Sequence, residues 1–190
     1  MEKIETTQSS HCLCGTPFGP VAVFWSVHRD QPKIRRVLLS KSGVPAKHLV
    51  KTLFPDSISS SCAEVDVVAD QIVAFLTGDD VRFSLDIARL DLCSRFQQKV
   101  LRAEYGIPRG SVSTYQRIAR YLGNANGARA VGAALANNPF PIIIPCHRAI
   151  RSDGALGGYQ GGLEMKRALL EMEGVLFNDI GRVITEDMFY

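Results

Sequence analysis

The spacing of apolar residues changes character about halfway along this chain, and that change limits it to a fold whose first part carries a sheet and whose second part is mostly helical. Residues 17–27 (PFGPVAVFWSV) and 34–40 (IRRVLLS) are dense in β-branched and aromatic side chains and read as strands, a possible pair. Residues 45–54 and 66–78 instead carry apolar side chains at helical spacing, the second run ending at Gly78 where a C-cap belongs. The polar tract PDSISSS between them reads as a loop. Over residues 79–93, Val81, Phe83 and Leu85 alternate as a strand would. The expected division is a small α/β unit over 1–90 and a mainly α unit over 91–190.

In the second part, residues 96–106 place Phe96, Val100, Leu101 and Tyr105 on one predicted helix face, and IPRGS then breaks the helix. Thr114 can cap a short helix running to Leu122, with Ile118, Ala119 and Leu122 inward. After the turn GNANG, residues 128–137 form a third helix with Val131 and Leu135 facing the core. Two short helices joined by a glycine-containing turn suggest a helix-turn-helix. Charge points the same way: residues 1–90 hold ten Lys/Arg and ten Asp/Glu, whereas residues 95–151 hold nine Lys/Arg against Glu104 alone. Such a stretch is either a solvated basic face or a surface for a polyanion. The third helix has little side-chain bulk, with Ala128, Ala130 and Gly132 around Arg129. That leaves two readings, tight helix packing with a solvated arginine, or a thin helix that carries Arg129 into a DNA groove.

Composition excludes several classes. Apolar residues make up 46% and charged residues 22%, the balance of a globular chain rather than a disordered one. No apolar run approaches the roughly 18 residues of a membrane span, and the polar start lacks the h-region of a secretory signal. The expectation is a cytoplasmic protein, or a nuclear one in a nucleated cell, without membrane partners. Five cysteines, an odd number at irregular spacing, argue for free thiols. His11, Cys12 and Cys14 lack a second ligand pair, so no metal is expected. No cofactor motif, internal repeat or long heptad pattern is present, which makes a monomer the default.

The segment IIIPCHRAI, residues 142–150, concentrates the chemistry. Ile142, Ile143 and Ile144 suit a buried strand that Pro145 ends, so Cys146 is expected where the strand leaves the core. An ordinary thiol is only a few per cent ionised at neutral pH, and His147 beside it is a base that geometry could bring to bear. A buried, inert cysteine is the competing reading. The glycine-rich loop over 152–162 lacks the context of a nucleotide loop and reads as a pocket wall. A helix follows, with Leu169 and Met172 inward and Gly174 as its cap, and Glu173 near its end is a candidate partner for an imidazole.

Four segments, GSVSTYQRIA, RAVGAAL, NPFPIIIPCHRAI and GALGGYQGG, together resemble the O6-alkylguanine-DNA alkyltransferases, densely from about Phe96 to Gly174 and loosely in the N-terminal half. The resemblance implies an RNase H-like sheet with helices followed by a mainly α domain with a winged helix-turn-helix. It implies Cys146 as alkyl acceptor, His147 as activating base, Glu173 as the carboxylate completing the relay, and Asn138 as the brace between helix-turn-helix and active site. Tyr115 corresponds to the residue that helps rotate the nucleotide out, and is also our candidate proton donor to the departing guanine. Arg129 corresponds to the finger that enters double-stranded DNA from the minor groove, with Ala128, Ala130, Gly132 and Arg151 completing the expected DNA surface. Pro141, Leu156, Gly157, Gly158, Tyr159, Gln160 and Gly161 correspond to walls of the guanine pocket. Some relatives hold zinc through N-terminal residues, but His11, Cys12, Cys14 and His28 do not match that spacing. The implied activity is stoichiometric repair of O6-alkylguanine, with O4-alkylthymine as a further substrate open. Gln160, where some members carry serine, predicts poorer reaction with O6-benzylguanine than with O6-methylguanine in DNA. The alternatives are a non-catalytic lesion-binding module, against which the presence of Cys146 weighs, and a cysteine hydrolase, against which the basic helix pair weighs. A transcription factor would leave the Cys-His-Glu set unexplained.

Overall fold

The computed structural model describes residues 9–41, 43–185 and 188–190. The first part is built on a sheet of four strands, β1 (Ser10–Cys14), β2 (Val21–His28), β3 (Gln31–Leu38) and, after helix α1 (Ala46–Leu53), the short β4 (Ile58–Ser59), in the order β3-β2-β1-β4. The predicted pair is the antiparallel hairpin β2–β3, closed by Arg29 and Asp30, both with positive φ (51° and 62°). A two-residue turn with both central residues left-handed matches the twist of the strands it joins. β1 was not legible: SHCLC has little β-branched character, and its pairing with β2 and β4 makes it a strand. His11 therefore points to the opposite face from Cys12 and Cys14. It stacks near Phe24 and meets Ser57 Oγ at 3.0 Å through Nδ1, while the two cysteines pack toward the other core.

Both faces of the sheet are covered. Ala22, Phe24 and Leu38 pack against Ala46 and Val50 of α1. Val21, Val23 and Val37 face Val65, Val68 and Ile72 of α2 (Ala63–Leu76), which begins three residues before the predicted start at 66. Gly78, at φ +112°, stands just past the helix end as predicted. The expected strand over 79–93 is absent. Phe83 is buried as the alternation predicts, but the segment has no ladder partner beyond an isolated bridge from Ala88 to Ile34, and it folds into two 3-10 turns, Leu85–Ile87 and Leu90–Leu92. Apolar alternation describes which side chains are buried; a strand also needs a neighbour with free backbone groups.

Helix α3 (Arg95–Tyr105) buries Val100, Leu101, Ala103 and Glu104, a face rotated from the predicted one, with Phe96 left 38% exposed. β5 (Ser113–Thr114) leads into α4 (Tyr115–Tyr121), where the Thr114 side chain accepts the Arg117 N–H as the predicted cap. Residues 122–127 connect it to α5 (Ala128–Ala136), whose Val131 and Leu135 are buried. The three isoleucines at 142–144 are each at most 1% exposed, yet they form no strand. They make a tight turn in which Ile144 N–H donates to Phe140 O at 2.8 Å and Ile142 takes φ +74°. A left-handed β-branched residue is strained by about 1–3 kcal/mol, while burying each isoleucine contributes roughly 1.5–3 kcal/mol, so burial prevails. β6 (Ala149–Ile150) pairs in parallel with β5. α6 (Leu163–Met172) follows, with Leu169 buried, Met172 half-buried and Gly174 at φ +88° past its end, before the hairpin β7 (Leu176–Phe177) and β8 (Val183–Ile184). A single apolar cluster runs from the first sheet through α2 and α3 to residues 142–144 and α6. Among the described residues no helix is long and apolar enough to cross a membrane.

Candidate active site

The β5–β6 pairing fixes the site. Ser113 lies opposite Ala149 and Thr114 opposite Ile150, which brings Tyr115 at the start of α4 beside Arg151, and both line one cavity with Cys146 of the 3-10 turn Cys146–Arg148. Pro145 has no N–H to offer a ladder, and the turn is closed by Arg148 N–H donating to Pro145 O at 2.9 Å. Cys146 is 5% exposed and lines a cavity of about 540 Å³, together with Tyr115, Gly132, Leu135, Arg151, Gly157, Gly158, Tyr159 and Gln160. That volume lies within the range of sites for molecules the size of a nucleobase or larger.

Behind the cysteine, Glu173 ends α6 and accepts three hydrogen bonds: from His147 Nε2 at 2.9 Å, Arg148 Nε at 2.9 Å and Arg148 Nη2 at 2.8 Å. Arg148 Nη1 also donates to Ile107 O at 2.6 Å. Burial alone would raise the Glu173 carboxyl, but the hydrogen bonds from His147 and Arg148 and the attraction of their polar groups outweigh it and hold the group at about 2. An ionised Glu173 accepting from Nε2 makes neutral His147 carry its proton there, leaving the Nδ1 lone pair open. Among the described residues Nδ1 has no hydrogen-bond partner. Burial lowers the affinity of His147 for a second proton, against the pull of Glu173.

Burial also raises the Cys146 thiol to about 12, with the Asn138 side chain and the charge of Lys166 opposing it. The resting cysteine is therefore a neutral thiol at neutral pH, and a nucleophilic role would need a base to take its proton. Asn138 is fully buried; its Nδ2 donates to Ile144 O at 3.2 Å and its Oδ1 accepts the Phe140 N–H at 2.9 Å, so it fixes the turn that delivers Cys146. Its backbone carbonyl accepts from Gln160 Nε2 at 2.6 Å, tying the glycine-rich wall to the end of α5. A Cβ on Gly157, which has φ +69°, would lie 2.6 Å from the Tyr115 hydroxyl, so only glycine lets the wall approach that close. Burial lifts the Tyr115 phenol to about 12, so it is a donor at neutral pH.

The structure thus gathers Cys146, His147, Glu173, Asn138, Tyr115, Gly132, Arg151 and residues 157–160 around one turn and its cavity. Arg129 and Ala130 lie on the exposed face of α5, beside half-buried Ala128 and outside the cavity lining. Pro141 is buried in the 141–144 turn, Leu156 contributes its carbonyl to Lys166, and Gly161 lies against Leu39 and Met165. Sequence reasoning missed four residues. Arg148 was visible only as part of the Pro-Cys-His-Arg string. Lys41, from the first part, reaches the cavity rim, which no local pattern reveals. Lys166 and Glu104 did leave a signal, since each is a charged residue at helical spacing from buried apolar ones, Leu169 and Leu170 for the first and Val100 and Leu101 for the second.

A family model described as 6-O-methylguanine DNA methyltransferase, DNA binding domain, matches residues 95–175. A methylated-DNA–protein-cysteine methyltransferase of Methanothermobacter thermautotrophicus is 46% identical over 117 residues, which are 62% of this chain and 65% of that protein. The chain thus spans slightly less than two thirds of the length of that curated relative. A crystal structure of the Mycobacterium tuberculosis O6-methylguanine methyltransferase superposes with a TM-score of 0.67 at 31% identity, covering 87% of this chain and 93% of that one. The structure of Mycobacterium tuberculosis OGT in complex with DNA gives 0.67 at 32% identity, covering 86% and 92%.

Proposed function

The chain belongs to the 6-O-methylguanine DNA methyltransferase family, and from that premise we propose that it repairs DNA by moving the alkyl group of O6-alkylguanine onto its own Cys146, once per molecule. The observation that carries this reading is the buried relay Cys146, His147, Glu173, Arg148 behind a cavity of nucleobase size. We read residues 1–90 as an α/β domain with an RNase H-like sheet and residues 91–190 as the DNA-binding, alkyl-accepting domain, with α4 and α5 as its helix-turn-helix. α5 approaches the minor groove, its small residues Ala128, Ala130 and Gly132 allowing close contact. Arg129 fills the space left by the flipped nucleotide, and Arg151 holds phosphate. Flipping costs a few kcal/mol and exposes the O6 substituent.

In the cavity, residues 156–161 and Pro141 bound the guanine. His147 Nδ1 takes the Cys146 proton through one bridging water, since no hydrogen bond joins the thiol directly to the ring. The imidazolium formed is stabilised by Glu173, itself fixed by Arg148. The S–C bond forms as the C–O6 bond breaks, its electron pair goes to guanine, and Tyr115 donates a proton to the departing base. The thioether has no route back by water, so the protein is consumed. The chain works as a monomer in the cytoplasm, or in the nucleus of a nucleated cell.

The test is intact-protein mass with peptide mapping after mixing with a duplex that holds one O6-methylguanine. One methyl on Cys146 and none on a Cys146→Ala protein is the expected result. Tight lesion binding with no mass gain would make this a lesion-recognition module and overturn the proposal.

A further inference from the structure

Lys166 is fully buried, and its Nζ donates to the carbonyls of Ala149 at 2.6 Å, Leu156 at 2.5 Å and Gly158 at 3.4 Å. Three acceptors match the three N–H groups of an ammonium, whereas a neutral amine has two. The geometry therefore describes a buried cation that ties the segment following Cys146 to the glycine-rich wall. Among the described residues no carboxylate hydrogen-bonds to it. Two acidic groups act on it by charge, Cys146 and Glu104.

Glu104 projects from α3, which packs against the Cys146–Arg148 turn, and it is fully buried. Neither of its carboxyl oxygens has a well-formed hydrogen bond, and the Ala149 N–H, near enough to favour the ionised form, is the one donor facing it among the described residues. The charged and titratable groups around it are Lys166 on α6, Arg148 and Cys146 on the turn, Tyr115 on α4 and the terminal Tyr190. The Arg148 guanidinium is committed to Glu173 and Ile107 O. What remains is one buried cation, hydrogen-bonded to carbonyls but not to a carboxylate, facing two groups that can become anions.

We propose that Glu104 and the Cys146 thiolate compete for the buried charge of Lys166, so that Glu104 is a positioning residue whose ionisation holds alkyl transfer back. This rests on the reading of Cys146 as the alkyl acceptor. Burial supports the exchange by raising Glu104 to about 8, close to neutral pH; it also pulls Lys166 downward, but three carbonyl acceptors and the two facing acidic groups hold its proton, so Lys166 stays the cation while Glu104 titrates. Below that range Glu104 keeps its proton and Lys166 favours the developing thiolate. Above it, the Glu104 carboxylate offsets the Lys166 charge and opposes a second negative charge beside it.

The experiment is the single-turnover rate of methyl transfer at saturating O6-methylguanine duplex, followed from about pH 6 to about pH 9.5 for the wild type, Glu104→Gln and Glu104→Leu. The wild-type rate should bend downward near pH 8 relative to both variants, lagging them by about tenfold at about pH 9 and matching them within about twofold at pH 6. Agreement of the Gln and Leu variants would tie the effect to charge rather than shape. Superimposed profiles overturn the proposal, and so does a wild-type profile with no bend, which needs no variant to fold. Absence of methyl on Cys146 at neutral pH would instead defeat the reading beneath it.

Discussion

The two sides of the Cys146–Arg148 turn bury the same side chain in opposite states. On the α6 side Glu173 accepts three hydrogen bonds, two from an arginine, and is held ionised at about 2. On the α3 side Glu104 has no well-formed hydrogen bond, only the nearby Ala149 N–H, and burial lifts it to about 8. Both are shut away from solvent, so burial does not separate them; the supply of donors does. The role proposed for His147 as a base needs a fixed counter-charge, and the saturated side provides one. The starved side holds a carboxyl that keeps its proton until the pH rises.

The largest expected effect comes from breaking the saturated side. Glu173→Gln leaves the Arg148 guanidinium buried without its carboxylate, and loss of one member of a buried pair costs about 3–5 kcal/mol. Urea unfolding at neutral pH should show that loss. Glu173 is depressed in the fold from 4.5 to about 2, so its contribution is fully present above about pH 4.5 and disappears as pH falls toward 2. Wild type and variant should therefore converge in acid. A constant gap down to about pH 2.5 would mean that the hydrogen bonds, rather than the charge, hold the turn.

The starved side should respond in the other direction. Glu104→Leu removes an unsatisfied buried group that costs about 1–3 kcal/mol. Because the folded carboxyl is raised to about 8, the native state keeps a proton that the unfolded chain releases above about pH 4.5. Wild-type stability thus declines between those values, and the variant's advantage should grow across the same window. Urea melts at about pH 5 and about pH 8.5 measure this. A variant less stable at both would show that Glu104 serves Lys166 as a structural partner.

The same contrast explains what the sequence could reveal. Glu173 was legible because it follows a helix whose apolar stripe and terminal glycine mark its end, and because its place agrees with a family motif. Glu104 was not, because the helix face had been drawn through Phe96 and Tyr105, one step away from the buried one. The strands of the β2–β3 hairpin and the helices α1 to α6 followed from local periodicity. β1, the short β4 inside the tract expected as a loop, the 79–93 segment and the isoleucine turn did not. Whether each becomes a strand depends on a neighbour supplied from elsewhere in the chain, and apolar runs do not record that. Lys41 entered the cavity rim for the same reason, from a part of the chain distant in sequence.

The smallest effect belongs to the pocket wall, and it isolates substrate fit from both sides of the turn. Gln160 Nε2 is committed to Asn138 O and, at 3.3 Å, to Ala136 O, so its amide braces the wall against α5. Gln160→Ser releases that brace and removes bulk beside Cys146. Reaction with O6-benzylguanine should quicken by a few-fold, less than about 1.4 kcal/mol in transition-state terms, while O6-methylguanine in DNA changes little. The acid convergence of Glu173→Gln and the alkaline advantage of Glu104→Leu should both persist in the Gln160→Ser background, since neither carboxyl touches the wall residue. Competition between the two substrates, read as alkylated Cys146 peptides, measures the ratio directly. No gain on the benzyl substrate would move the limit on bulky groups from Gln160 to Tyr159, whose ring stands edge-on to His147 at 6.2 Å.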